Sequence, residues 1–282
     1  MKKKTLNTII AFAVVAVALV AGFLFPSKDG IKGVPLDTME INYLDVGQGD
    51  CSVIILPGGK VMMIDCGEAK YGEEIGEFLK SKNIDTIDFL VATHPHADHI
   101  GSMEYIINNF DIGSFYMPDC DYDTETFFNM LTALNNKDVQ SNLAKAGDII
   151  YEDESTICKV LSPKRNNYKE VNDYSVVVKI ICGEKSFLFM GDAEETAESE
   201  ITGDVSADVL KVGHHGSSTS TKESFLKKVD PDIAVISCGK NNKYGHPDRE
   251  VTNLLKKYGV ETKRTDVDGT FTLRCDGKNI EY

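Results

Sequence analysis

Hydrophobic and polar positions divide this chain of 282 residues into two unlike stretches. Ile9 to Phe25 is an uncharged run of 17 residues, preceded by Lys2-Lys3-Lys4 and closed by Pro26-Ser27-Lys28-Asp29-Gly30. That length suffices to cross a hydrocarbon core, and lysines ahead of it stay on the cytoplasmic side. Residues 1–25 are therefore read as a membrane anchor, or as a signal segment if cleaved, 26–37 as a linker and 38–282 as a folded domain. From Met39 onward the apolar runs are short. They predict strands at Met39 to Val46, Cys51 to Leu56 and Val61 to Asp65, the last two joined by the turn Pro57-Gly58-Gly59. A helix over Glu73 to Lys82 leads to a strand from Ile87 to Ala92, with further helices at Ile100 to Asn109 and Glu125 to Asn135. Strands are predicted over 156–161, 175–182 and 186–190. Helix and strand then alternate: helix 194–200, strand 208–212, helix 222–229, strand 233–237, helix 249–258. Strand pairs around Asp268-Gly269 and Asp276-Gly277 close the chain. Such runs favour an α/β class, with two sheets face to face and helices outside.

Charge changes this picture little. With 30 basic and 44 acidic residues the net charge is −14, a balance that repels polyanions. Residues 211–264 run the other way, with 11 Lys or Arg against 6 Asp or Glu, and offer a path for an anionic substrate. Seven cysteines form no CxxC pair and lie mostly in apolar runs, which suits buried thiols.

The histidines are the informative residues. Thr93-His94-Pro95-His96-Ala97-Asp98-His99 holds three of the six, and the others fall in His214-His215-Gly216-Ser217 and Gly245-His246-Pro247. Imidazole with carboxylate suits zinc, manganese or iron. Residues two apart in an extended segment point the same way, so His94 and His96 can grip one ion. Asp98 and His99 stand at the mouth of the next helix and can face a second.

This cluster resembles the signature of the metallo-β-lactamase fold. Phe187-Leu188-Phe189-Met190-Gly191-Asp192 matches its strand ending in a bridging acid, and Asp208 to His215 matches its strand ending in histidine. Leu44-Asp45-Val46-Gly47-Gln48-Gly49-Asp50, Asn172-Asp173-Tyr174-Ser175 and Tyr244-Gly245-His246-Pro247 narrow the likeness. Together they resemble the C-terminal hydrolase domain of the ComEC competence family and its stand-alone relatives.

That resemblance implies a four-layer αββα sandwich with two divalent metal ions, zinc or manganese, at one edge. It implies His94, His96, Asp98, His99, Asp192 and one of His214 or His215 as ligands, with Asp192 bridging and His215 favoured. Asp65 would orient a ligand by accepting an imidazole N–H. Asp45, Asp50, Asn172, Ser175, Ser217, Ser218 and Lys243 are candidate substrate contacts. Many members of the wider fold carry a histidine near Asn172 to Ser175; here there is none, which leaves one metal short of an imidazole and makes manganese plausible.

The resulting expectation is a phosphodiesterase or nuclease displayed outside the membrane. A hydroxide between two metals would attack phosphorus, with Asp98 and Asp192 positioning it and accepting its proton, and His246 contacting phosphate or protonating the leaving oxygen. The expected partners are a phosphodiester substrate such as single-stranded DNA and the membrane, with no protein partner. A lactone, thioester or other small carboxyl ester is the rival substrate, and a non-catalytic surface binding module the rival class.

Overall fold

The structure, a computed structural model, describes residues 31–282, so the expected anchor or signal over 1–25 lies outside the described residues. No helix among the described residues is long and apolar enough to cross a membrane. The first sheet comprises β1 (Met39–Tyr43), β2 (Ser52–Ile55), β3 (Val61–Ile64), β4 (Thr86–Val91), β5 (Asp111–Met117), β6 (Ser141–Leu143), β14 (Phe271–Cys275) and β15 (Ile280–Glu281). Its order is β15-β14-β1-β2-β3-β4-β5-β6. The second comprises β7 (Ile149–Glu152), β8 (Thr156–Ser162), β9 (Val177–Cys182), β10 (Lys185–Phe189), β11 (Val209–Lys211), β12 (Ile233–Ile236) and β13 (Glu261–Arg264), ordered β13-β12-β11-β10-β9-β8-β7. Helices α1 (Gly72–Ser81), α2 (Ala97–Ile100), α3 (Met103–Asn109) and α4 (Glu125–Asn136) belong to the first half. Helices α5 (Glu195–Glu200), α6 (Glu223–Val229), α7 (Arg249–Lys257) and α8 (Thr265–Asp268) belong to the second.

The layering follows from strand alternation. Val53, Ile55 and Met63 pack with Ile75, Leu79 and Met103 of the helices, whereas their neighbours Ile54, Met62 and Ile64 pack with Val178, Phe187 and Val235 of the facing sheet. Across that sheet Leu188, Leu210 and Ile236 meet Phe225, Leu226 and Leu255. Strands apolar on both faces are therefore buried on both faces. The result is an α/β sandwich with helices on each outer surface.

Within each sheet a block of strands is parallel: β3 through β6 in the first, β10 through β13 in the second. Parallel strands send all their following loops to one edge, and ligands bind there. The loops after β3, β4, β10, β11 and β12 carry Asp65, His94, Asp192, His215 and His246 respectively.

Two expectations need correction. The helix predicted from Ile100 to Asn109 begins at Met103, while Ile100 closes the short helix α2; between them the Ser102 hydroxyl donates to the Glu68 carbonyl at 2.7 Å. The strands around Asp268-Gly269 do not pair, since β13 and β14 belong to different sheets and α8 carries the chain between them. The hairpin at Asp276-Gly277 does form, with Cys275 opposite Ile280. All seven cysteines are free thiols, six of them buried.

Candidate metal centre

Asp192 enters the cleft from β10 through Gly191, which has φ +54. A Cβ on Gly191 would lie 2.8 Å from Thr93 Cβ and 3.1 Å from Ser175 Oγ, so only glycine lets the two loops close. Backbone bonds then knit the motifs together: Val176 N donates to Thr93 O at 2.9 Å and His214 N to Gly191 O at 3.0 Å. Asp192 N donates to Ser175 Oγ at 3.0 Å.

The Asp192 carboxylate is shared between two groups of imidazoles. Oδ2 lies 3.6 Å from His94 Nε2 and 3.8 Å from His214 Nε2; Oδ1 lies 3.1 Å from His99 Nε2 and 3.7 Å from His215 Nε2. Ligand atoms of His94, His96 and Asp192 fall within 4.8 Å of one another, as do those of Asp98, His99 and His215. His215 Nε2 is 3.3 Å from Asp98 Oδ2. Buried Nε2 of His99, Nε2 of His215 and Oδ1 of Asp192 all lack a hydrogen-bond partner. Stranding three such atoms together is costly, and a cation among them removes the cost. The donor set fits divalent metals.

The far nitrogen is already engaged on His94, His99, His214 and His215, whereas His96 turns its Nδ1 toward His94 Nε2 at 3.0 Å. Asp65 Oδ2 accepts from His99 Nδ1 at 2.7 Å and from the Thr93 hydroxyl at 2.7 Å, while Oδ1 accepts from Thr93 N at 2.8 Å. His94 Nδ1 meets Thr93 Oγ1 at 3.1 Å. Nδ1 of His215 donates to the Ser237 carbonyl at 3.1 Å, and Nδ1 of His214 lies 3.0 Å from Glu194 Oε1. Each of these four arrangements turns Nε2 toward the centre as the ligand atom.

Electrostatics agree. Burial disfavours a charged His99, yet Asp192 and Asp65 outweigh it and hold the imidazole well above its usual range. His215 is likewise pushed up to about 10, with burial opposing and Asp192, Asp50 and Asp98 prevailing. Asp98, against its burial, is brought down to about 2 by His215 and His99. Burial, reinforced by His99, sends His94 well below the usual imidazole range. Positive charge is thus favoured on the His99 and His215 side of the pocket and disfavoured at His94 and His96.

Behind His215 lies an ion pair that the sequence reading did not pick out. Lys211 Nζ donates to both oxygens of Asp50 at 2.9 and 2.8 Å, with both side chains almost fully buried. Asp50 is therefore not a substrate contact: Lys211 and His215 occupy its carboxylate, and its amide donates to Asp98 O. The Asp45 carboxylate accepts from Gly47 N at 3.1 Å in a local turn. Ser175 supports Asp192, Asn172 donates to Glu194 Oε1 at 3.0 Å, and Ser217 is buried against Thr219. The Ser218 amide donates to Asp248, and Lys243 stands over the Tyr244 ring at 5.0 Å. Part of the basic stretch is neutralised: Lys211, Lys257, Lys263 and Arg264 pair with Asp50, Glu223, Glu261 and Asp266.

An open cleft of about 310 Å³ exposes the centre, lined by Gln48, His96, Ala97, Asp98, Asp192, His214, His215, Tyr244 and His246. Both histidines of the His214-His215 pair reach it, one toward each oxygen of Asp192. The imidazole missing near Asn172 to Ser175 thus has a counterpart in His214. A lysine within the apolar strand Val209-Leu210-Lys211-Val212 was the available sign of the buried ion pair.

Comparisons with known proteins bear on the family and the fold. A family model described as the metallo-beta-lactamase superfamily matches residues 44–240. The chain is 32% identical over 255 residues to ComE operon protein 3 of Bacillus subtilis (strain 168), covering 83% of this chain and 33% of that protein. It is 29% identical over 244 residues to Recombination protein 2 of Haemophilus influenzae, covering 84% of this chain and 29% of that protein. The chain thus spans about a third of the length of these curated relatives. Among solved structures, CmlA, a diiron beta-hydroxylase from Streptomyces venezuelae, superposes with a TM-score of 0.56 at 15% identity, covering 84% of this chain and 54% of that one. That likeness is one of fold.

Proposed function

The chain belongs to the metallo-beta-lactamase superfamily and is a metal-dependent hydrolase related to competence proteins; on that premise we propose that it is a phosphodiesterase or nuclease, displayed outside the membrane by its N-terminal segment. The observation that carries the reading is the Asp192 carboxylate, with one oxygen toward each imidazole group, at the floor of an open polar cleft. His94, His96, Asp192 and His214 would hold one divalent ion, and Asp98, His99, His215 and Asp192 the other. Zinc and manganese both suit this donor set. Ions held there supply Lewis acidity, making water a nucleophile and neutralising charge on the phosphoryl oxygens.

The chain's own groups do the rest. Asp98, about a quarter exposed on the cleft wall, accepts the proton of the attacking water. The water oxygen bonds to phosphorus as the ester P–O bond breaks, and in an open cleft the departing oxygen takes its proton from solvent. Burial, with His214 and His215, lowers His246 below its usual range, so it acts as a neutral phosphate contact rather than the acid. An acyl chain would need an apolar wall, and apart from Ala97 and Tyr244 the lining is polar, which favours a phosphodiester over a lactone or thioester.

Metal-loaded protein offered single-stranded DNA, bis-p-nitrophenyl phosphate and a panel of lactones and thioesters tests the reading. Cleavage of the phosphodiesters is expected, and hydrolysis of carboxyl esters alone would end it. Protease accessibility of the domain on intact cells tests the display.

A further inference from the structure

The turn Gly47-Gln48-Gly49 is pressed against the metal loop. A Cβ on Gly49 would lie 2.4 Å from the Asp98 carbonyl oxygen, and one on Gly47 would lie 2.4 Å from the Tyr71 hydroxyl. Asp50 N donates to Asp98 O at 3.2 Å, which fixes the turn beside Asp98. Between two positions that admit no side chain, Gln48 is presented to the cleft, where it forms part of the lining. Its carbonyl oxygen, Oε1, accepts the Gly239 N–H at 3.1 Å. A backbone N–H can only donate, so the amide's orientation is set: oxygen toward Gly239, NH2 at the free end. Among the described residues nothing accepts from that NH2 group.

The other lining groups make this consequential. Asp98 and Asp192 as carboxylates only accept, no Lys or Arg lines the cleft, and among the lining side chains outside the ligand set only Gln48, Tyr244 and His246 can donate. A phosphodiester brings two anionic oxygens that require donors. From this arrangement we propose that Gln48 is a catalytic residue, its amide donating a hydrogen bond to a non-bridging oxygen of the bound phosphodiester. This rests on the phosphodiesterase reading. The donor is neutral, preset by Gly239, and available at any pH, so it stabilises charge that develops on the phosphoryl oxygens without reorganising. The same oxygen contact ties the turn to the loop that carries Tyr244 and His246.

Two variants separate catalysis from loop support. Gln48→Glu keeps an oxygen to accept from Gly239 and keeps the side chain's shape, but replaces the donor by an acceptor. Gln48→Ala removes both. With bis-p-nitrophenyl phosphate at pH 8, both are expected to lose on the order of 100-fold in kcat, with metal content unchanged. Competitive inhibition by inorganic phosphate should weaken roughly tenfold in each. The Gln48→Glu loss should shrink toward pH 5, as the carboxyl gains a proton it can donate, while the Gln48→Ala loss stays flat. A Gln48→Glu enzyme with wild-type kcat and wild-type phosphate inhibition would overturn the assignment and leave only loop support. Wild-type protein that hydrolyses lactones and no phosphodiester would instead remove the reading beneath it.

Discussion

The two sheets build one site by different means. The first delivers His94, His96, Asp98 and His99 from the loop after β4 and the short helix α2 that follows it, and its support, Asp65 and Thr93, lies at the ends of the adjacent strands β3 and β4. The second delivers Asp192, His214 and His215 from the ends of two strands, and their support comes from afar: Asp50 with Lys211, Ser237 and Glu194. Local encoding makes the first half compact and self-sufficient. The second half is held by long-range pairs, so damage there should reach the fold as well as the metals.

Lys211→Met tests that difference most severely. It leaves Asp50 buried without its cation, and a loss of about 3–5 kcal/mol in unfolding free energy is expected by denaturant titration. Adding Asp50→Leu should recover much of it, whereas an unrecovered double variant would show that the pair does more than neutralise itself. Asp65→Asn strikes the first half's support instead. The expected cost is 10–100-fold in metal affinity with the melting temperature of the metal-free protein little changed. His214→Ala sharpens the comparison within the second half: about a quarter exposed and held by Glu194, it should weaken one metal site and spare the other, where His215→Ala should also unseat Asp50. Stepwise metal titration distinguishes the two.

The smallest effect concerns Glu198, buried in α5, whose carboxylate accepts from the Thr221 and Lys222 amides just beyond the His214-His215 loop. Burial pushes it up to about 7 despite those donors. A carboxyl raised in the folded state contributes stability that is complete below its unfolded value and is lost as pH rises through about 7. Thermal stability should therefore fall between pH 5 and 8, and Glu198→Gln should flatten that slope. An unchanged slope would place the titration elsewhere.

What was legible in the chain follows the same division. The metal loop could be read because its residues are neighbours, and the role of Asp65 because the family resemblance implies an orienting acid there. Strand β13, Glu-Thr-Lys-Arg, escaped because a polar edge strand carries no apolar alternation, and β5 because Gly113 interrupts its run. In the sequence Lys211 reads as one of a basic stretch although it is buried, and Asp50 reads as a turn residue able to face substrate. Only packing shows that the two neutralise each other across the sandwich.

The central claim is that Asp192 is shared by two cations. Elemental analysis of purified protein, wild type beside Asp192→Asn, tests it most directly. The account predicts two divalent ions per chain in the wild type and fewer than one in the variant, with hydrolysis lost and the fold intact by circular dichroism. A variant that keeps both ions and its activity would contradict it.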